Sequence, residues 1–279
     1  MTKSKLTIVI LSYNVEQLLL NCIASITGPW EIIVVDNASS DNSVASVKAK
    51  FPKVKVIETG KNLGFAGGNN VALRNITSKY VLLLNPDTIV YPNTLETVLE
   101  FMEKHPEAGA ATCRVELLSG ALDYSCHRSF PNPWDSFLHF YSGFFRKLSR
   151  YSHASVPEFI HEIDSLTGAF ALIRTKVGHD LKWLDEDFFW NGEDLDFCYR
   201  LKQKGWKVFY IPDVKITHLK GASSQQTKQS RARWALRSTD AMLTFYRKHF
   251  ASKYPVILNL TVYVGIYLLR TLRYLKAHL

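Results

Sequence analysis

Apolar and polar positions alternate along the first hundred residues with two different periods. Leu6–Leu11 (LTIVIL), Glu31–Val35 (EIIVV), Val54–Glu58 and Tyr80–Leu84 (YVLLL) are short, largely apolar runs, the pattern of strands buried on both faces. Val15–Ile26, Ser43–Phe51 and a segment opening at Gly67–Asn75 instead carry apolar residues at helical spacing. Asn93–Lys104 reads as a helix with Asn93 as its cap and Glu96 three positions on, the spacing of a capping box. This alternation predicts a parallel sheet covered by helices, and such sheets bind ligands at the carboxyl ends of their strands. Those ends are polar here: Ser12-Tyr13-Asn14, Asp36-Asn37, Gly60–Asn62 and Asn85-Pro86-Asp87. They predict a crevice of mononucleotide size.

Beyond Arg114 the pattern changes. Ser119–Asp123 (SGALD) predicts a hairpin turn, Phe130–Ser152 is aromatic and basic, and Glu162–Arg174 reads as turn then strand. Asp185–Lys204 leads into a helix, and Trp206–Ile211 is a further strand. The boundaries predict one domain over 1–224, with halves meeting near residue 112, and a helical region over 225–279. Hydrophobic residues at 47% and charged residues at 21% exclude a disordered chain. Cys22, Cys113, Cys126 and Cys198 form no CxxC pair, which predicts neither a zinc ribbon nor a disulfide framework and suits a reducing cytosol. The apolar run after Met1 is too short for a signal peptide and reads as a first strand. The net charge of +9 first suggests nucleic acid, but its distribution excludes that. Residues 1–224 hold 24 basic and 24 acidic side chains, whereas 225–279 hold 10 basic ones against Asp240 alone. The anionic partner is therefore expected at the tail, with no nucleic-acid groove through the body.

Several polar residues have both a structural and a chemical reading. Asp87 can simply start a turn after Pro86; beside a nucleotide crevice it can ligate a divalent ion, because Mg²⁺ takes few protein carboxylates. Asp36 can accept a hydrogen bond from a base or ribose, while Asp41 or Ser43 caps the next helix. Gly60–Asn70 (GKNLGFAGGNN) opens a helix after a strand, where glycines let backbone approach an anion. Its spacing is neither a dinucleotide fingerprint nor a P-loop, and a tight turn accounts for it equally well. Glu193-Asp194 lies at a helix start, where acids favour the dipole. Three acids in four positions beside Phe188, Phe189 and Trp190 also suit a general base in a partly dry pocket. His218, just past a strand, gains meaning only from its neighbours.

Together these pieces carry a resemblance. SYN (Ser12–Asn14), VVDNASSDNS (Val34–Ser43), NLGFAGGNN (Asn62–Asn70), LLLNPDT (Leu82–Thr88), TGAF (Thr167–Phe170), WNGEDLDFCYR (Trp190–Arg200) and HLKGAS (His218–Ser223) occur in that order. The set resembles the family 2 inverting glycosyltransferases of GT-A fold, and within them the bacterial rhamnosyltransferase branch, over about residues 6–224. The resemblance implies an α/β fold with a Rossmann-like central sheet, mostly parallel but mixed, flanked by helices and followed by a C-terminal helical appendage. It makes about 1–112 the donor-binding half and 113–224 the acceptor and catalytic half. It further implies a nucleotide-sugar donor (dTDP-rhamnose first, a UDP-hexose as the alternative), Mg²⁺ or Mn²⁺, and an inverting single displacement.

Carried onto these residues, the resemblance has Ser12, Tyr13 and Asn14 lining the donor site, Asp36 on the nucleoside and Asn62 in the same pocket. Asn85-Pro86-Asp87 takes the place of the family's DxD motif, with Asp87 on the metal and His218 near the metal-bound diphosphate. Asp194 becomes the catalytic base, Glu193 and Trp190 its acceptor-side neighbours, and Thr167-Gly168-Ala169 the loop facing sugar and acceptor. Asn85 departs from the aspartate of many relatives; its amide oxygen can ligate but supplies no charge. Two other readings stay open. A nucleotidyltransferase would leave the Glu-Asp pair and TGAF without roles. Intact Asp87, Asp194 and His218 oppose a non-catalytic, membrane-attached sugar-nucleotide-binding protein.

The tail supplies the last expectation. Between Pro255 and Arg270 the chain is nearly all apolar but shorter than the ~20 residues a spanning helix needs. With Tyr254, Tyr263, Tyr267 and Tyr274, and with Arg247, Lys248, Lys253, Arg270, Arg273 and Lys276 around it, it predicts an interfacial helix on an anionic membrane surface. Packing on its own domain or on a dimer partner is the competing reading, which leaves a homo-oligomer open. Trp134–Tyr151 would join the membrane or shape the acceptor mouth. The expectation is a cytoplasmic protein, peripheral at the inner face of the cell membrane, that acts on a lipid-linked saccharide in bacterial surface-polysaccharide synthesis.

Overall fold

The apolar runs form the strands expected of them: β1 (Leu6–Ser12), β2 (Glu31–Asp36), β3 (Lys55–Glu58) and β4 (Tyr80–Leu84). The structure, a computed structural model, describes residues 4–136, 156–219 and 228–278. All five residues of β4 and six of the seven in β1 are buried, as a parallel strand covered on both faces requires. Helices α1 (Glu16–Ser25), α2 (Ser43–Lys50) and α3 (Gly64–Leu73) connect these strands. Asp41 organises two of the helix starts: its carboxylate accepts from Glu16 N at 3.0 Å and Ser43 N at 3.1 Å. The expected capping box at α4 (Thr94–Lys104) does not form. Asn93 sits there at φ 64° and its side chain makes no cap bond, because a left-handed residue turns its side chain away from the first turn.

Next come β5 (Thr88–Val90), β6 (Ala108–Leu117), β7 (His161–Ile163), β8 (Phe170–Arg174), α5 (Thr175–Asp180), α6 (Glu193–Gln203) and β9 (Lys207–His218). The sheet runs in the order β3-β2-β1-β4-β8-β6-β9-β5, with β7 on the same edge of β9 as β5. Its first four strands are parallel; β8 runs antiparallel to β4 and β6. The Ser119–Asp123 turn closes a hairpin: Leu117 N bonds Ala121 O, and Asp123 N bonds Val115 O. β9 extends well beyond the expected Trp206–Ile211. Pro212 interrupts the apolar alternation, and a register shift against β6 absorbs the irregularity, with Cys113 opposite Ile211 but Arg114 opposite Lys215. That continuation carries His218 to the rim of the sheet.

The tail forms two helices, α7 (Lys228–His249) and α8 (Val256–His278). It is docked rather than tethered. Phe245, Tyr246 and Phe250 form a buried cluster with Phe188 and Leu195, and Tyr199 packs against it. Lys248 pairs with Asp185 and Asp187, and His249 meets Asp196 at 2.7 Å with both side chains buried. Part of the tail's anionic partner is thus the body itself. Of the aromatic-basic stretch Trp134–Tyr151, residues 137–151 lie outside the described residues, as do Lys220–Ser223 of the HLKGAS motif.

Candidate active site

The site is built from strand ends. The register pairs Ser12 with Asp36 across β1 and β2. Ser12 Oγ and Asp36 Oδ1 are both buried without a hydrogen-bond partner, while Asp36 Oδ2 accepts from Ser39 N at 2.9 Å. Buried oxygens without partners cost stability unless a ligand satisfies them. Tyr13, beside them, is exposed. Asn14 sits at φ 54°, and its Oδ1 accepts from Ser40 N at 2.7 Å, so it pins the Ala38–Asn42 loop.

The glycine-rich segment turns out to be mainly a packing device. Asn62 Oδ1 accepts from Gly64 N at 2.9 Å and from Asn37 Nδ2 at 3.2 Å. Gly64, at φ 74°, lies so close to the loop before α6 that a Cβ would strike the Phe189 carbonyl oxygen. Phe65 N bonds that same oxygen at 2.8 Å. A Cβ at Gly68 would likewise press on Leu11. These glycines let α3 touch β1 and the Phe189 loop.

At the end of β4 the strand register decides the chemistry. β5 pairs antiparallel with the extended end of β9, Thr88 opposite His218, and Leu219 N bonds Asp87 O at 2.8 Å. His218 Nε2 therefore faces Asp87 Oδ1 at 3.3 Å, and its Nδ1 faces Asp123 Oδ2 at 3.2 Å. All three side chains are buried. Burial lowers the imidazole's proton affinity, but the Asp123 and Asp87 carboxylates outweigh it and push the pKa up to about 9. Asp123 went unnoticed in the sequence, where it closes a hairpin; only the fold places it behind His218.

This donor set fits a hard divalent cation that takes the place of the Nε2 proton. One carboxylate and one imidazole face each other, and the imidazole is steered from behind by a second carboxylate, the usual arrangement for a metal-bound histidine. Among the described residues no group of three His, Cys, Asp or Glu side chains converges as a complete metal cage. An ion held by Asp87 and His218 would take its remaining ligands from phosphate oxygens and water.

The second half of the site is joined to the first by the Thr167–Ala169 loop. Asn85 N bonds Ala169 O at 3.2 Å, and Gly168 N donates to Asp194 Oδ2, also at 3.2 Å. The loop therefore spans from the end of β4 to the first turn of α6. Asp194 Oδ2 also pairs with Arg128 at 2.7 Å. Arg128, which no sequence motif announced, bridges to Ser165 through the backbone and donates to Leu166 O. It ties the segment before the loop to the carboxylate. Glu193 is buried with Oε2 unpartnered; burial and then the neighbouring Asp194 charge push its pKa up to about 8. Trp190 and Phe189 stand exposed just ahead of this pair.

A family model, Glycosyl transferase family 2, matches residues 7–176. The chain belongs to that family. An N-acetylglucosaminyl-diphospho-decaprenol L-rhamnosyltransferase of Mycobacterium tuberculosis is 24% identical over 226 residues, 76% of this chain and 73% of its own. Rhamnosyltransferase WbbL of Escherichia coli K12 is 28% identical over 222 residues, 75% of this chain and 80% of its own. Among solved structures, mannosyltransferase PcManGT of Pyrobaculum calidifontis, in complex with GDP-Man and Mn²⁺, superposes with a TM-score of 0.58 at 19% identity. The match covers 99% of this chain and 73% of that one. GalNAc-T7 with UDP, GalNAc and Mn²⁺ gives 0.60 at 14% identity, over 86% of this chain and 51% of that one. This family 2 glycosyltransferase therefore has the GT-A fold and belongs with the rhamnosyltransferase-like branch.

Proposed function

We propose that the protein transfers a sugar, L-rhamnose from dTDP-rhamnose in the first instance, from a nucleotide donor to a lipid-linked saccharide with inversion. The observation that carries this reading is the Thr167–Ala169 loop, bonded to Asn85 at one end and to Asp194 at the other. It ties the strand end that leads into Asp87 to the carboxylate of Asp194. The rhamnosyl donor and the polyprenyl-diphosphate acceptor rest on the relatives' names.

In this mechanism Asp36 and Ser12 hold the nucleoside through their unpartnered oxygens. Asp87 and His218 would hold Mg²⁺ or Mn²⁺, with Asn85 beside them. Such a cation, when bound, supplies positive charge to the leaving diphosphate. Asp194 takes the proton from the acceptor hydroxyl as that oxygen bonds the anomeric carbon and the carbon–phosphate-oxygen bond breaks. One carboxylate base suffices, since no covalent sugar–enzyme intermediate forms; retaining glycosidases need a second, nucleophilic carboxylate. Arg128 and Gly168 N fix the orientation of that base. Thr167–Ala169 and Trp190 face the sugar and acceptor, with Glu193 a neutral neighbour at pH 7.

Asp194→Asn is the direct test. Titration with dTDP-rhamnose and Mn²⁺ should give near-normal donor affinity, while transfer to a polyprenyl-diphosphate N-acetylglucosamine acceptor is abolished. Turnover within tenfold of wild type would remove Asp194 from the role of base.

A further inference from the structure

α7 presents one continuous face to the segment that carries Glu193 and Asp194. Arg237, Ala241, Phe245 and His249 recur every four residues and so share a helix face. Ala241 packs at Gly192, where an added Cβ would come within 3.4 Å of the alanine's. Phe245 lies in the cluster with Phe188 and Leu195, and His249 reaches Asp196. At the head of this face, Arg237 Cζ stands 5.1 Å from the ring centroids of both Phe189 and Trp190. Both rings are more than 40% exposed, and Trp190 precedes the candidate base by four positions.

The pairing of Arg237 is unlike that of its neighbours. Lys248, His249 and Arg270 are all paired with carboxylates. Arg237 has neither an ion pair nor a hydrogen bond among the described residues; its contacts are the two aromatic rings. The acids that follow Trp190 in the chain do not pair with it: Asp194 is taken by Arg128, and Glu193 is buried. Stacking uses the face of a guanidinium and leaves the N–H donors in its plane available, in a fork that matches phosphate oxygens. A cation held by exposed rings and left without an anion fits an anionic ligand. In the proposed mechanism the donor's diphosphate lies at the β4 end with Asp87 and His218, whereas Arg237 stands on α7 against Phe189 and Trp190, the residues that lead into Glu193 and Asp194.

We propose that Arg237, Phe189 and Trp190 form an acceptor subsite in which the guanidinium takes the diphosphate of the lipid-linked saccharide. This rests on the transferase reading above and adds the residue that recognises its acceptor. Placing that residue on α7 also gives the docked tail a part in catalysis.

The test uses the full chain and compares binding of farnesyl diphosphate with farnesol in detergent, without added metal and with dTDP saturating. Wild type should prefer the diphosphate. Arg237→Ala should lose about 10- to 100-fold of that preference, the scale of charge-assisted hydrogen bonds, and Arg237→Lys should keep most of it. Should the alanine variant fold poorly by melting temperature, Arg237→Gln retains a long side chain on the rings and gives the same comparison. Equal wild-type binding of the two probes, or an undiminished preference in Arg237→Ala, overturns the subsite. A matching loss of binding to phosphatidylglycerol vesicles would also overturn it, by assigning the cation to lipid headgroups. Metal-dependent release of free sugar from dTDP-rhamnose by wild type tests the transferase reading separately, since it needs no acceptor.

Discussion

Asp123 shows how a residue with no motif becomes part of a site. It closes a hairpin after β6, caps the short turn Tyr124–Cys126 by accepting from Ser125 N, and directs its other oxygen at His218 Nδ1. Asp123→Ala should leave that N–H unsupported and weaken Mn²⁺-dependent donor binding by about 10- to 100-fold. Titration of dTDP-rhamnose binding against Mn²⁺ measures this, and an unchanged metal dependence would detach His218 from the metal site. Glu193 makes a pH prediction of definite sign. Its pKa is raised from 4.5 to about 8, so the folded state holds a proton that the unfolded state releases. Its contribution to stability is full below about pH 4.5 and is lost as pH rises through about 8. Melting temperatures from pH 5 to 9 should fall less steeply for Glu193→Gln than for wild type, with the variant the more stable above pH 8. Parallel curves would place the proton elsewhere.

Among the elements, α3 and the Phe189 loop meet backbone to backbone, with Phe65 N bonded to Phe189 O. Gly64 serves their contact twice, through a positive φ and through the absence of a Cβ against the Phe189 carbonyl. Gly64→Ala should destabilise the fold by about 1–3 kcal/mol, read as a lower urea midpoint. It should also slow transfer, because the Phe189 loop leads directly into Trp190, Glu193 and Asp194. A variant as stable as wild type would mean the loop yields readily. The sequence left this glycine-rich segment open between anion cradle and turn. Only packing against a loop more than a hundred residues away decides it. β9 carries the same lesson: Pro212 disguised the strand's continuation, and with it the register that brings His218 to Asp87.

At the scale of the whole molecule, α8 divides into two faces. Tyr246 OH donates to Asn259 Oδ1 at 2.6 Å, Arg270 pairs with Asp240, and Arg273 donates to Ser238 Oγ at 3.0 Å. Val256–Ala277 is long and apolar enough to cross a membrane, yet these bonds lay it along α7. Its other face exposes Ile257, Leu260, Val264, Leu268, Leu272 and Leu275, each more than half accessible, at the three- and four-residue spacing of one helical stripe. That stripe supports the interfacial reading of the tail, with Lys276 and Arg247 also exposed for anionic headgroups. Replacing Leu260 and Leu268 together by aspartate should lower binding to phosphatidylglycerol vesicles by about 10-fold or more without changing donor hydrolysis. Undiminished binding in a flotation assay would reserve the stripe for a protein partner.

The parallel strands and the polar residues at their ends follow from the order of residues alone. Each of these follows from a local rule: apolar runs bury, and polar residues gather where parallel strands end. Tertiary structure alone decided which of those groups meet. Asp123 joined His218 through a hairpin and a strand register, Arg128 joined Asp194 across a backbone bridge, and Gly64 and Gly68 were spent on packing. It also decided that the basic tail folds back on the helix bearing Asp194. That docking depends on buried aromatic contacts and on ion pairs between distant segments, interactions whose energy exists only when the chain brings their partners together.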